Sequence, residues 1–291
     1  MRIALLGANG QLAFYLKRTL SAEHEIVSFT HQDFDVTDHD AARTALTKAT
    51  PQVILNTTAF HQVDLCETEV IVSFATNTLA VRNLAHIAND LDAVLMHLST
   101  DYVFDGHSNQ PYTEDASPRP LSVYANSKLA GEYFVRSIAK KHAVVRSCGL
   151  FGAAGSSGKG GNFVETMLRK AKAGEPIRVV SDQVLTPTYT RDLARQIEVL
   201  LGTPHYGLFH ATNEGSCSWY HFAETIFEIA GLKPNLAPTT AEVLKTPAVR
   251  PKYSVLANAR LKTLGLNRMR SWREGLVDYL REKHGLKPEA S

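Results

Sequence analysis

Three features of the 291-residue chain predict an α/β protein with a doubly wound parallel sheet and a smaller C-terminal α/β part. Short β-rich runs alternate with helical stretches through the first half. A glycine loop, Gly7-Ala8-Asn9-Gly10-Gln11-Leu12-Ala13, directly follows the first of those runs. After about residue 150 the alternation loosens, and the segments become shorter and richer in proline.

The runs at 3–6, 26–29, 53–55, 94–98 and 143–145 are strand-sized and mostly apolar, the pattern of strands buried on both faces. Between them the spacing predicts helices near 11–20, 38–49, 66–90 and 122–141. Within the third of these, Val70, Phe74, Leu79, Leu84 and Ile87 read first as a face packed on the sheet, with a homodimer face as the other reading. Residues 152–161 form a Gly/Ser-rich stretch, either a linker or a loop covering a substrate. Beyond it helices are expected near 162–173, 190–201, 218–230 and 271–283. The expected division is a nucleotide-binding part over 1–150 and a mainly substrate-binding part over 151–291 that can cross back to the first. Ligands of doubly wound sheets sit at the carboxyl ends of the strands, so chemistry is sought just after each strand.

Composition narrows the function. Lys and Arg number 31 against 29 Asp and Glu, a formal charge of +2, and no basic block of five occurs, so nothing favours nucleic acid. No apolar run is long enough for a membrane-spanning helix. The opening MRIALLG turns into the glycine loop too early for a signal peptide. Cys66, Cys148 and Cys217 are widely spaced with no CxxC pair, which suits a reducing compartment. The expectation is a cytoplasmic enzyme with no membrane or nucleic-acid partner and no metal.

In the glycine loop, Gly7 can supply the tight turn, Gly10 can let backbone approach a pyrophosphate, and Ala13 permits close helix–strand packing. A helix opening at Gln11 would aim its free N–H groups at that phosphate. A plain turn is the bland alternative; the place between strand and helix favours a Rossmann-type dinucleotide site. The second strand ends in Ser28-Phe29-Thr30-His31, with no acid before Asp33. Sites specific for NAD place a carboxylate there for the ribose 2′-OH, so NADPH is favoured, and NADH stays open because no arginine stands ready for a 2′-phosphate. Asp35 and Val36 lie where adenine would pass, while helix capping belongs more naturally to Thr37 or Asp38.

Tyr124-Ala-Asn-Ser-Lys128 opens a predicted helix, and the i,i+4 spacing puts phenol and amine on one face. A phenol has a pKa of about 10, so acid–base work near neutrality needs a nearby cation. Lys128 can supply it and also bind a ribose; a solvated helix face would explain the pair alone. The fourth strand ends in Leu98-Ser99-Thr100-Asp101-Tyr102-Val103-Phe104-Asp105-Gly106, at the carboxyl edge. Thr100 could hydrogen-bond a substrate carbonyl and place it against the Tyr124 proton while hydride arrives at carbon. A capped turn would explain Ser99-Thr100-Asp101 alone.

Together these strings resemble the extended short-chain dehydrogenase/reductase superfamily and, within it, the dTDP-4-dehydrorhamnose reductase family. The stretches that carry the resemblance begin with GANGQL at 7–12, NTTAFHQVDLCE at 56–67, STDYVFDG at 99–106 and YANSKLAGE at 124–132. They continue with GNFVETML at 161–168, Asp182-Gln183 with Pro187-Thr188, Ser218-Trp219, and Arg250-Pro251 with Ser254. The resemblance implies a catalytic set of Thr100, Tyr124 and Lys128. It implies phosphate-loop contacts from Gly10, Gln11 and Leu12, adenine contacts from Asp35 and Val36, and a nicotinamide-side segment at Thr58, Ala59 and Phe60. Substrate contacts would come from Thr100, Asp101, Tyr102 and Asn162. The implied reaction is NAD(P)H-dependent reduction of the 4-keto group of a nucleotide-activated 6-deoxy sugar, foremost dTDP-4-dehydro-L-rhamnose.

Two positions depart from the family's pattern. Gly149 stands where an RTSWVYG-like stretch carries Trp, and Leu185 stands where DQxGxPT carries glycine. Loss of an aromatic implies a larger pocket. Two further readings follow: a reductase of another nucleoside-diphosphate keto-deoxysugar, or a non-catalytic subunit resembling the regulatory subunit of methionine adenosyltransferase. Cys217 and His221, four apart on an expected helix, read as structural and not as a metal pair.

Overall fold

The computed structural model describes residues 1–154 and 161–286. Five parallel strands fall on the five apolar runs: β1 (Arg2–Leu6), β2 (Glu25–Phe29), β3 (Val53–Asn56), β4 (Val94–Thr100) and β5 (His142–Ser147). The short β6 (Leu150–Phe151), β7 (Ile177–Val180), β8 (Val184–Leu185) and β9 (Thr188–Tyr189) stay outside that sheet, and β10 (Gly207–His210) rejoins it beside β5. The order β10-β5-β4-β3-β1-β2 reverses direction between β1 and β3, the crevice where such sheets bind ligands. Register aligns the strand ends: Leu6 pairs with Phe29 and Asn56, and Thr100 with Ser147, so the segments that follow share one edge. Beyond the main sheet, β11 (Cys217–Ser218) pairs with β8, β12 (Leu236–Thr239) with β7, and β6 with β9.

Alternation along each strand feeds two cores. Ile3, Leu5, Val53 and Val145 face one side, where α1 (Gln11–Leu20) packs; Ala4, Leu6, Ile54 and Val144 face the other, toward α2 (His39–Ala49). Asp38 caps α2, accepting from the N–H groups of Asp40 and Ala41 at 3.1 and 3.0 Å. After β3 come α3 (Val63–Cys66), α4 (Val70–Phe74), α5 (Ala80–Asp90) and α6 (Val123–Ile138). The later helices are α7 (Phe163–Lys172), α8 (Thr190–Leu201), α9 (Trp219–Ala230), α10 (Ala241–Leu244), α11 (Ala259–Thr263) and α12 (Trp272–His284). Ser122, Asn162, Ser218 and Ser271 cap α6, α7, α9 and α12 with side-chain oxygens.

The single helix expected over 66–90 is corrected. The chain is helical from Val63, breaks after Cys66, resumes as α4 and passes through a wide π turn, Ala75–Leu79, before α5. The π turn carries buried Asn77, whose Oδ1 accepts from Phe60 N at 2.9 Å and whose Nδ2 donates to Phe60 O at 3.0 Å. Widening the helix there lets Asn77 hold the segment after β3, a tertiary demand that helical periodicity does not encode. The expected apolar face splits as well. Leu84 and Ile87 are buried in the core, but Val70 and Leu79 are exposed, so packing on the sheet does not account for them. Cys217 lies on β11 and His221 on α9, so they do not share a helix. Among the described residues no helix is long and apolar enough to cross a membrane.

Candidate active site

A cleft of about 990 Å³ opens along the carboxyl edge. Every sequence-predicted site residue lines it. Gly7, Gly10, Gln11 and Leu12 meet Asp35 and Val36; Thr58, Ala59 and Phe60 continue the lining. Thr100, Asp101, Tyr102, Tyr124, Lys128 and Asn162 complete it. The expected Gly/Ser loop at 152–161 falls largely outside the described residues.

The glycine end fits a pyrophosphate. Gly7 sits at φ +77°, which a side chain would strain, and a Cβ there would lie 2.9 Å from Thr57 Oγ1. Gly7 and Ala8 donate their N–H groups to Phe29 O, each at 3.0 Å, and Gly10 N donates to Gly7 O at 2.9 Å, folding the loop tightly over β1. Among the described residues no side chain caps α1 and its first turn carries no acid, so its N–H groups are available to an anion. At the end of β2, Asp33 is turned into a local hydrogen-bonded turn, accepting from Thr30 N at 2.7 Å and Thr30 Oγ1 at 2.8 Å. Asp35 is held in the same way by Thr37. Burial would raise its carboxyl, but hydrogen bonds from Thr37 N and Oγ1 at 2.8 and 2.7 Å hold it below the usual range.

The reacting end is built by β4 and α6. Thr100 closes β4 and accepts from Tyr102 N at 3.2 Å, while its hydroxyl donates to Asp101 Oδ1 at 3.2 Å. The Tyr102 and Tyr124 rings meet edge to face with centroids 6.2 Å apart. Burial raises the Tyr124 phenol well above its ordinary pKa; a hydrogen bond with Thr100 opposes this, and the Asp101 charge adds to it. Lys128 is buried as well. Its Nζ donates to Leu98 O at 2.7 Å and lies 3.2 Å from His97 Nε2. Burial pulls Lys128 down to about 8 against the opposing charge of Glu132. Burial likewise pushes Asp101 up to about 6, against hydrogen bonds from Cys148, Ser254 and Thr100. Cys148 Sγ donates to Asp101 Oδ2 at 2.9 Å, and burial raises its thiol, so it is no nucleophile.

On the substrate side Gly149 and Leu185 lie against each other and both line the cleft. Gly149 adopts φ +55°, and a Cβ there would lie 2.8 Å from Leu185 Cδ1 and 3.2 Å from Pro187 Cα. The buried Leu185 side chain packs where a Cβ on Gly149 would point. The two departures are one packing unit. Asn162 is also committed to the fold: its Nδ2 donates to Gly152 O at 2.8 Å and Tyr279 Oη at 3.2 Å, and its Oδ1 accepts from Glu165 N at 3.1 Å. Residues that the sequence reading missed include Asn56, Asn77 and His97, all buried. For His97 a signal existed, a lone polar ring inside the apolar run VLMHL.

A doubly wound sheet with a glycine turn at its first crossover, and Tyr and Lys one helical turn apart beside the fourth strand, defines an oxidoreductase of the short-chain dehydrogenase/reductase type. The chain matches the family described as the RmlD substrate binding domain over residues 1–284. It is 37% identical over 285 residues to the dTDP-4-dehydrorhamnose reductase of Streptomyces griseus, covering 95% of this chain and 92% of that one. The solved dTDP-4-dehydrorhamnose reductase of Clostridium acetobutylicum is 38% identical with a TM-score of 0.93, over 98% of this chain and 100% of its own. That of Bacillus anthracis, solved in complex with NADP, is 38% identical with a TM-score of 0.92, over 97% and 99%. This chain belongs to the dTDP-4-dehydrorhamnose reductase family.

Proposed function

We propose that the protein reduces the 4-keto group of dTDP-4-dehydro-L-rhamnose to give dTDP-L-rhamnose, with NADPH as reductant. The carrying observation is the single cleft that joins an uncapped helix N-terminus at Gly10 to the Thr100, Tyr124 and Lys128 cluster. NADPH, when bound, supplies hydride to the keto carbon. Gly7, Gly10, Gln11 and Leu12 would hold its pyrophosphate, Asp35 and Val36 its adenine, and Thr58, Ala59 and Phe60 would flank the nicotinamide. Thr100 donates its hydroxyl hydrogen to the keto oxygen. Tyr124 then gives its phenolic proton to the oxygen as negative charge develops there. Burial keeps that phenol protonated at neutral pH, the form a proton donor needs. Lys128 grips the ribose, and Asp101, Tyr102 and Asn162 border the sugar. On this reading residues 1–150 carry cofactor and proton chemistry with part of the sugar contacts, and 151–291 are mainly substrate-binding.

The buried free cysteines suit a cytoplasmic setting. A homodimer would give the exposed Val70 and Leu79 a partner. Loss of NADPH absorbance on adding dTDP-4-dehydro-L-rhamnose tests the function. Turnover with that sugar, falling at least about tenfold with other nucleotides, is the expected result. Turnover only with another nucleotide would reassign the substrate, and none with any keto sugar would remove the reading.

A further inference from the structure

The polar chain behind the reacting centre runs in one direction. Asn56 on β3 and His97 on β4 face each other in register, both fully buried. Asn56 Oδ1 accepts from Thr58 N at 3.0 Å and Thr58 Oγ1 at 2.6 Å. A backbone N–H can only donate, so this contact fixes which end of the Asn56 amide is oxygen. Asn56 Nδ2 must then donate to His97 Nδ1, 3.1 Å away. Burial is the main cause that holds the fully enclosed His97 ring well below its ordinary pKa, so the ring is neutral. With Nδ1 accepting, the ring proton sits on Nε2. That Nε2–H faces Lys128 Nζ at 3.2 Å, and Nζ in turn donates to Leu98 O at 2.7 Å.

Only one protonation state of Lys128 satisfies every link. A neutral amine accepts from Nε2–H with its lone pair and donates onward to Leu98. An ammonium has no lone pair, so it leaves one donor facing another, either at His97 Nε2 or, after tautomer exchange, at Asn56 Nδ2.

We propose that His97 is a positioning residue that, by presenting Nε2–H, stabilises the neutral amine of Lys128 and makes this lysine a proton-uptake site. Negative charge entering the cleft with a phosphorylated cofactor, or developing on the reduced oxygen, favours the cation, and Lys128 takes a proton from solvent. The fall of Lys128 to about 8 is in keeping with this. Other titratable groups on the surrounding elements do not replace His97. Glu132 on α6 is bound to Arg146 of β5 at 2.6 Å and accepts from Ser99 of β4. Asp101 and Tyr102 follow β4, Tyr124 lies one turn back on α6, Cys66 is on α3, and Arg82 of α5 lies over the Phe134 ring.

This rests on the proposed cofactor site only for its second readout. The first is the pH titration of the Lys128 Cε resonance in the full-length, 13C-lysine-labelled protein, assigned by its loss in Lys128→Met. The expected midpoint is near the value of about 8. In His97→Leu it should rise by about one pH unit, while His97→Gln, which can still offer an N–H, should restore the lower midpoint. At about pH 8, calorimetry of NADPH binding in buffers of different ionisation heat should show uptake of about half a proton, lost in His97→Leu. A wild-type midpoint at the ordinary 10.5, or one unmoved by His97→Leu, overturns the assignment. If the titration behaves as expected but NADPH does not bind, the cofactor reading falls and the His97 assignment stands.

Discussion

The two ends of the cleft are built by different rules. At the cofactor end, successive loops leave one parallel sheet at aligned positions, with Leu6 beside Phe29 and Asn56. Two turns there are closed by their own residues, Gly10 N onto Gly7 O and Thr37 N onto Asp35 Oδ1, while Gly7 and Ala8 also lean on Phe29 O of the neighbouring strand. At the substrate end, Gly149 follows β5, Leu185 lies on β8, and the two-residue strands pair across long separations, Cys217 with Leu185 and Leu150 with Thr188. Shape there is reciprocal, and a change in one segment is answered in another. The lesson is that local strings place most of the first end, the hold of Asn77 on Phe60 excepted, and only contacts reveal the second.

The sharpest break of this comparison is Tyr124→Phe. It removes the proposed proton donor at the junction while leaving the glycine loop and the Gly149–Leu185 unit untouched. Turnover should fall by about 10² to 10⁴-fold, with NADPH affinity, followed by fluorescence titration, within about twofold. Turnover like that of the wild type would sink the Tyr124 assignment.

Beneath the reacting end, Arg146 and Glu132 form a fully buried bidentate pair, with Nε and Nη2 of Arg146 at 2.9 and 2.6 Å from Glu132 oxygens. Arg146→Met would leave the carboxylate buried and unpaired. Urea unfolding should show a loss of about 3–5 kcal/mol. A loss under about 1 kcal/mol would mean that water or relaxation already compensates Glu132, and that the sheet edge is softer than its packing implies.

What was legible follows the same division. The five strands and the helices at 11–20 and 38–49 are readable because buried parallel strands are apolar throughout and the helices between them keep a regular period. The clefts's polar residues at Thr100, Tyr124 and Lys128 were readable because strand ends and i,i+4 spacing place them locally. β10, Gly207–His210, holds only two apolar residues between a glycine and a histidine, so no apolar run marks it, and it enters the sheet through pairing with β5. The break after Cys66 and the π turn serve contacts of Asn77 with Phe60, seventeen residues away. The Leu185 answer to Gly149 spans thirty-six residues and two elements, beyond any local pattern.

Reciprocity at the substrate end can be measured directly. Leu185→Ala should cost about 2–3 kcal/mol as a buried cavity. Gly149→Ala combines a strained φ of +55° with a Cβ 2.8 Å from Leu185 Cδ1, for about 1–3 kcal/mol. The double variant relieves the clash, so its loss should fall short of the sum by about 0.5–1 kcal/mol. Strict additivity in thermal or urea unfolding would show that the two positions act independently and that the packing unit is not real.

The smallest effect tests whether the sheet's later addition, β10, is bound into the core electrostatically. Burial first, and the Arg146 charge second, lower His210 from 6.5 to about 3. The unfolded chain therefore binds a proton below about pH 6.5 that the folded chain refuses. This contribution is fully present above that pH and is lost as pH falls toward 3. His97 acts in the same direction, whereas Asp101, raised to about 6, favours the folded state as pH falls below that value. His210→Gln can still donate to Tyr112 O, which His210 Nδ1 meets at 3.0 Å, but carries no titrating ring. Between about pH 7.5 and 5.5 it should lose about 1 kcal/mol less stability than the wild type in urea unfolding. Parallel curves would mean that His210 takes its proton without unfolding, by local opening of β10 from β5.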